Sequence, residues 1–574
     1  MLAWLWINVK DFMKTRQIKL RILTAFILTV SFLVAGQEQE PEGPVLAALK
    51  PALDSVGADN ILAHIKKLAS DEFEGRGPAT RGETLTIKYL TDQFKRSGLK
   101  PGNPDGSFVQ KVPLVGFLAQ PKIDMESGGK KVPLNFQDDF VHDYPALRTS
   151  VSAKNSGVVF AGYGIVAPEY GWDDYKDVDV RSKLVVVLSG EPSAPDKRDA
   201  SKLDPSVFKG DTRTYYSTRE FKYGIAARKG AAAILVITDP EKSITYSLFQ
   251  TFAKMEGFAL KPRTPTPAFA MAGLMTINAA RRLFAASGKD LDKLEGSAGR
   301  KDFRPVSTNA RANISVKTKL RSVTSHNAVA RIEGSDPRLK NEYVIYTAHW
   351  DHLGIDKTLK GDQIFNGAID DAVGTAQLLE VAKGFAKLSK KPKRSILFIA
   401  TTSEEKGFLG SRYYAENPLF PIAKSVANIN LDGGNVWGRT KDVITSGYGL
   451  STIDEYLEEA AKLQGRDFVR ESIDNNSLYF SSDQIQFARA GIPAAFPFSG
   501  SIYTGRPADF GDKKWSGYAD KDYHQVSDEV RSDWDLSGAA EDAQWLLIAG
   551  YNIAQAEKRP EWKNGSEFRR RPVN

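Results

Sequence analysis

Val344-Ile345-Tyr346-Thr347-Ala348-His349-Trp350-Asp351-His352 is an apolar run of strand length that breaks off onto two histidines and an aspartate. Two further runs end the same way: Ser395 to Ala400 leads to Glu404-Glu405, and Val426 to Leu431 leads to Asp432. A fourth run, Ile492 to Phe498, has the same texture. Between the first two lies a helical pattern, Gly374 to Leu388, with Leu378, Leu379, Ala382, Phe385 and Ala386 on one face. Apolar strands alternating with helices predict an α/β sheet covered on both faces. Such sheets place their sites at the carboxyl ends of the strands, where these His, Glu and Asp residues fall.

Working outward, Leu46 to Gly98 reads as helical, with Ile61, Leu62, Ile65 and Leu68 in one stripe and Leu85, Leu90 and Phe94 in another. Glu74-Gly75-Arg76-Gly77-Pro78 between them is a loop by composition. From Ser150 to Asp290 the texture changes to short β-rich runs: Val158 to Phe160, Lys183 to Leu188, and small residues from Ala226 leading into Ile234 to Ile237. The expected organisation is therefore a leader at 1–36, a first part of the main domain at 46–149, an insertion at 150–290 and the rest of the main domain at 291–560.

The leader is read from Lys14, Arg16, Lys19 and Arg21 followed by the apolar stretch Ile22 to Val34 and then Ala35-Gly36, the pattern of a cleaved secretory signal. Its removal lowers the formal charge from +8 to about +4. The basic balance is then weak evidence for nucleic acid, and no basic stripe with interleaved aromatics supports it. The tail Arg569-Arg570-Arg571 reads as a solvated end. At 574 residues, 41% hydrophobic and 26% charged, the chain is ordinary for a folded protein of more than one unit. It has no cysteine, which excludes disulfides, thiol nucleophiles and cysteine metal sites. Any zinc must be held by histidine and carboxylate.

Taken singly, His-x-Asp, Glu-Glu and Asp-Gly-Gly are ordinary tripeptides, solvated pairs and turns. In order, however, the chain reads His349-Trp350-Asp351-His352, then Gly367-Ala368-Ile369-Asp370-Asp371-Ala372-Val373-Gly374, then Glu404-Glu405-Lys406-Gly407 with Gly410-Ser411, then Asn430-Leu431-Asp432, and last Tyr523-His524. This ordered set closely resembles the two-zinc peptidase family that contains secreted bacterial aminopeptidases and glutamate carboxypeptidase. Ala161-Gly162-Tyr163-Gly164-Ile165, Asp174-Tyr175 and Gly230 to Ile234 resemble a protease-associated domain. The resemblance implies a mixed central sheet covered by helices, with a β-rich protease-associated domain inserted.

Carried over residue by residue, the resemblance implies two zinc ions. His349, Asp370, Glu405, Asp432 and His524 match ligand positions, and Asp370 matches the carboxylate that bridges both metals. Asp351 matches the acid that orients His349, Glu404 matches the general base, and Tyr523 matches an oxyanion donor in one branch. Val373 departs from the serine often found there, at a position that is not a ligand. Chemistry agrees: zinc accepts imidazole nitrogen and carboxylate oxygen, and adjacent Glu404 and Glu405 can point to different sides, one to a water and one to a metal. His352 lies next to the motif, whereas His64, His142 and His326 read as ordinary surface or core residues.

The expected function is a zinc-dependent exopeptidase, an aminopeptidase first, acting on peptides in the periplasm or outside the cell. No nucleic acid and no stable membrane association after signal cleavage are expected. A carboxypeptidase or other amide hydrolase on the same site is the alternative within enzymes, with Arg506 as a candidate carboxylate grip. A receptor-like binding protein is the alternative outside them. The insertion is expected to stand beside the metal crevice as a wall or lid.

Overall fold

The computed structural model describes residues 44–243, 245–262, 269–470 and 478–569. The leader expected at 1–36 and Arg570-Arg571 lie outside them. Among the described residues, no helix is long and apolar enough to cross a membrane. The chain divides into two compact units. One comprises the described residues of Met1–Val112, Ser325–Ile473 and Ser481–Asn574, and the other those of Pro113–Thr324 and Asp474–Phe480.

The first unit is an α/β sandwich. Its parallel centre runs Ser395–Thr401, Tyr343–His349, Ser425–Asn430 and Ala494–Ser499 in spatial order. Antiparallel neighbours flank it: residues 328–332 of the strand Val306–Ile332 pair with Ser395–Thr401, and Asp442–Ser446 pairs with Ala494–Ser499. The sheet is therefore mixed. All seven residues of both Tyr343–His349 and Ser395–Thr401 are buried, as strands covered on both faces must be. The helix Gly374–Lys387 buries Leu378, Leu379, Ala382 and Phe385, and the helix Ser537–Gln555 is tied in where Tyr346 donates its hydroxyl to Leu546 O at 2.7 Å. The helices Pro44–Leu53, Ala58–Leu68 and Arg81–Arg96 complete this unit's N-terminal part. The segment read as a loop at Glu74–Pro78 begins instead inside a 3-10 turn, Asp71–Arg76, in which Glu74 and Gly75 take left-handed dihedrals.

The strands of the second unit follow one another in the order Val306–Ile332 (residues 306–317), Ser150–Phe160, Leu184–Leu188, Ala233–Thr238, Met271–Thr276 and Phe140–Pro145. Alternate residues of each strand enter opposite cores. Val158, Phe160, Leu184, Val186, Leu235 and Ile237 face one, and Val159, Val185, Val187, Ile234 and Val236 face the other. The expected insertion at 150–290 lies within this unit, which reaches further in both directions, from Pro113 to Thr324.

Candidate metal centre

The strand Tyr343–His349 delivers His349 at its last residue. The loop beyond it carries Asp351 and His352. Glu404 and Glu405 follow the strand Ser395–Thr401 after a turn in which Ser403 has φ 55°, and Asp432 lies two residues past the strand Ser425–Asn430. Asp370 and Asp371 enter from the turn Ala368–Val373, joined by a cis peptide bond, and His524 comes from the segment after the helix Phe510–Lys521. All are buried or nearly so.

These side chains converge as two donor groups that share Asp370. His349 Nε2 lies 3.2 Å from Asp370 Oδ1 and 3.5 Å from Asp432 Oδ1, and the three could hold one metal ion. His524 Nε2 lies 3.0 Å from Asp370 Oδ2 and 3.0 Å from Glu405 Oε2. His352 Nδ1 is 2.7 Å from Glu405 Oε1, and His352, Asp370 and Glu405 form a second group able to hold an ion. All five residues read from the sequence as ligands are thus brought together. His352 stands closer to them than its place beside the motif suggested.

The two adjacent glutamates divide between the groups. Glu405 reaches the His352 and His524 imidazoles, whereas His349 and Asp432 are the charges that act most strongly on Glu404. Burial holds the Glu404 carboxyl well above its usual range, with His349 opposing and the neighbouring acids adding to the effect. For His349 burial works against the imidazolium, but Glu404, Asp432 and Asp371 outweigh it and raise its pKa. Asp351 is pushed up to about 7, first by burial. Its role differs in detail from the expected one. The nearest acceptor to His349 Nδ1 is the Asp351 main-chain carbonyl at 3.1 Å, with the carboxylate 3.9 Å away, and that carboxylate accepts the Glu404 backbone N–H at 3.1 Å. Tyr523 is buried and stacks on His524 at 3.9 Å between ring centroids, among the charges of Asp370, Glu405, Glu404 and Asp432. Arg506 is exposed over the Phe510 ring and is not part of this cluster.

Three acids that were given no role from the sequence support the site. Asp371 accepts N–H groups from His349 (3.2 Å), Gly374 (3.0 Å) and Gly433 (2.8 Å), tying the three segments that carry His349, Asp370 and Asp432 to one carboxylate. A Cβ at Gly374 would stand 2.2 Å from Asp371 Oδ1, so only glycine fits where the motif ends. Asp528 accepts from the N–H groups of Ile369 and Asp370, and Asp483 from the hydroxyls of Thr401 and Ser411. Asp371 was legible as part of the Asp-Asp pair. Asp483 and Asp528 carried no signal, since their partners are main-chain groups and hydroxyls.

The profile of Peptidase family M28 matches residues 327–548. This segment is similar to peptidase family M28. Every donor residue named above lies in it. Within this segment and around it, the chain is 28% identical over 237 residues to leupeptin-inactivating enzyme 1 of Streptomyces exfoliatus, covering 40% of this chain and 49% of that protein. It is 35% identical over 125 residues to the aminopeptidase NAALADL1 of Mus musculus, covering 21% of this chain and 15% of that protein. It thus spans less than half the length of these relatives. A solved structure, the aminopeptidase from Aneurinibacillus sp. strain AM-1, superposes with a TM-score of 0.49 at 18% identity over 88% of this chain and 95% of that one.

Proposed function

We propose that the chain is a zinc-dependent exopeptidase of the aminopeptidase kind that holds two zinc ions, one by His349 and Asp432 and the other by Glu405 and His524, with Asp370 bridging. The observation that carries this reading is the sharing of Asp370, with one carboxylate oxygen facing each donor group. The donor set fits zinc. It is imidazole and carboxylate only, and donors about 2.0 to 2.2 Å from a tetrahedral zinc would stand about 3.3 to 3.6 Å apart, near the 3.0 to 3.5 Å seen between His349 or His524 and their acids. When bound, zinc lowers the pKa of water toward neutrality and polarises a carbonyl.

The remaining work falls to this chain's own groups. Glu404, beside the His349–Asp432 side of the site, takes a proton from the attacking water on its carboxylate and returns it to the leaving amine. Asp351 holds Glu404 in place through its backbone N–H. Tyr523, fixed against His524, is the candidate hydrogen-bond donor to the carbonyl oxygen. Removal of residues from the amino end is supported by the likeness to NAALADL1, which is named an aminopeptidase. The stretch 150–290 is read as an inserted protease-associated domain on its Ala161 to Ile165, Asp174-Tyr175 and Gly230 to Ile234 motifs, and export is read from the basic and apolar leader. Elemental analysis of gently purified protein should find about two zinc ions per chain. Mass spectrometry of a peptide mixture should then show loss of N-terminal residues. Protein without tightly held metal would overturn the reading, and C-terminal trimming would reassign its direction.

A further inference from the structure

Arg76 is 1% exposed, and its five N–H donors are fully accounted for. Nε donates to Trp350 O at 2.8 Å. Nη1 donates to Leu68 O at 3.0 Å and Asn366 O at 2.5 Å, and Nη2 to Gly367 O at 2.8 Å and Asp370 O at 3.3 Å. Every acceptor is a main-chain carbonyl. The residue's own carbonyl accepts the N–H of His352 at 3.4 Å, and its backbone is held at φ 50°, a conformation uncommon outside glycine. Asp371, Asp528, Asp370 and Asp351 surround the guanidinium as charges, yet none of their carboxylates accepts one of its N–H groups.

Buried arginines are ordinarily paired fork to fork with a carboxylate. Here the fork instead bridges the loop that follows His349 to the loop that carries Asp370, and anchors both to the end of the helix Ala58–Leu68. That choice of acceptors has a chemical consequence. The cation offsets the crowded acids, while both carboxylate oxygens of Asp370 stay turned to the imidazoles of His349 and His524. The geometry points to Arg76 as a positioning residue that sets the spacing of His349, His352 and Asp370 and so builds the metal centre. The inference rests on the reading of His349 and Asp370 as zinc ligands. Lysine cannot replace the fork, because a compact ammonium with three donors does not span five carbonyls on separate segments.

The test compares the parent with Arg76→Lys and Arg76→Gln, each checked for fold by circular dichroism without metal and then titrated with zinc against a chelator. A parent that binds no zinc defeats the metal reading itself and is thereby distinguished from failure of this inference. With a binding parent, both variants should keep the fold, lose about 10- to 100-fold in zinc affinity, as loss of an outer partner typically does, and show a fall in kcat with KM nearly held. Zinc affinity within about threefold of the parent in Arg76→Lys, or loss of the metal-free fold in both variants, overturns the inference. Asn366→Ala is the control. The Asn366 side chain ties the same loop to Ala69 O and Asp71, so with Arg76 intact its removal should cost less than about threefold in zinc affinity. A loss equal to that of Arg76→Lys would assign the positioning to Asn366 instead.

Discussion

The strand Met271–Thr276 of the second unit and the strand Tyr343–His349 of the first unit are both buried along their whole length, and both pair in parallel with a neighbour. They end differently. Thr276 caps the helix Ile277–Ala286, its hydroxyl accepting the Ala279 N–H at 3.2 Å, whereas His349 turns its Nε2 toward Asp370 and Asp432. The buried charges differ in the same way. In the second unit each is satisfied locally: Asp174 by the N–H groups of Tyr163 and Ile165 and the Trp172 indole, Glu191 by Thr214, and Lys222 by the carbonyls of Tyr163 and Gly190. In the first unit Asp370, Glu405, Asp432 and Glu404 converge on three imidazoles, those of His349, His352 and His524. A buried charge with private partners is part of the fold, but like charges that converge without enough cations describe a place for a metal. Burial alone therefore does not mark a site.

The largest effect that can break this comparison is Glu404→Gln. The amide keeps the shape of the side chain and cannot accept a proton, so kcat should fall about 10²- to 10⁴-fold while zinc content, measured by elemental analysis, is unchanged. Loss of zinc with activity would make Glu404 a ligand, and activity within about tenfold of the parent would place the proton acceptor elsewhere.

Much of the first unit was legible because its signals are local. Four apolar runs were read to within two residues of the strands, and side chains at strand ends can be paired by order alone. Arg76 was not legible, since its partners are carbonyls that any sequence possesses. The one available hint was its place between Gly75 and Gly77, where a Cβ at Gly75 would stand 2.4 Å from Gly354 O. The orientation of His349 was half legible. The sequence named Asp351 but could not show that its main chain, rather than its carboxylate, is the nearer acceptor. The insertion was read as 150–290 because composition changes there. The division at Thr324 falls inside the single strand Val306–Ile332, whose alternation of buried and exposed residues carries no turn signal.

A smaller effect belongs to the second unit alone. His142 is buried beside Phe136, whose ring stacks on it at 5.8 Å, and burial lowers its pKa from the ordinary 6.5 to about 4. Between those two values the unfolded chain binds the proton and the folded unit does not. Its contribution is therefore complete above pH 6.5 and is lost as the pH falls toward 4, by about 3 kcal/mol. Urea unfolding followed by hydrogen exchange of the Ser150–Phe160 strand should show this acid sensitivity, and His142→Phe should reduce it. Equal sensitivity in the variant would assign the effect to other groups. Zinc affinity should not follow the His142 substitution at neutral pH.

The smallest effect is the sharpest test of the comparison, because it alters the residue that stands at the same strand end as His349. Thr276→Ala deletes the hydroxyl that accepts the Ala279 N–H and leaves a helix terminus without its cap. The loss should be about 1 kcal/mol of unfolding free energy for the second unit, read from denaturant melts at fixed pH. Zinc stoichiometry and kcat should be unchanged, since the cap satisfies one backbone donor of its own helix and orders nothing else. If zinc content or kcat moved with this substitution while the melts did not, strand ends of the second unit would share in the chemistry, and local satisfaction of polar groups would cease to distinguish the two units.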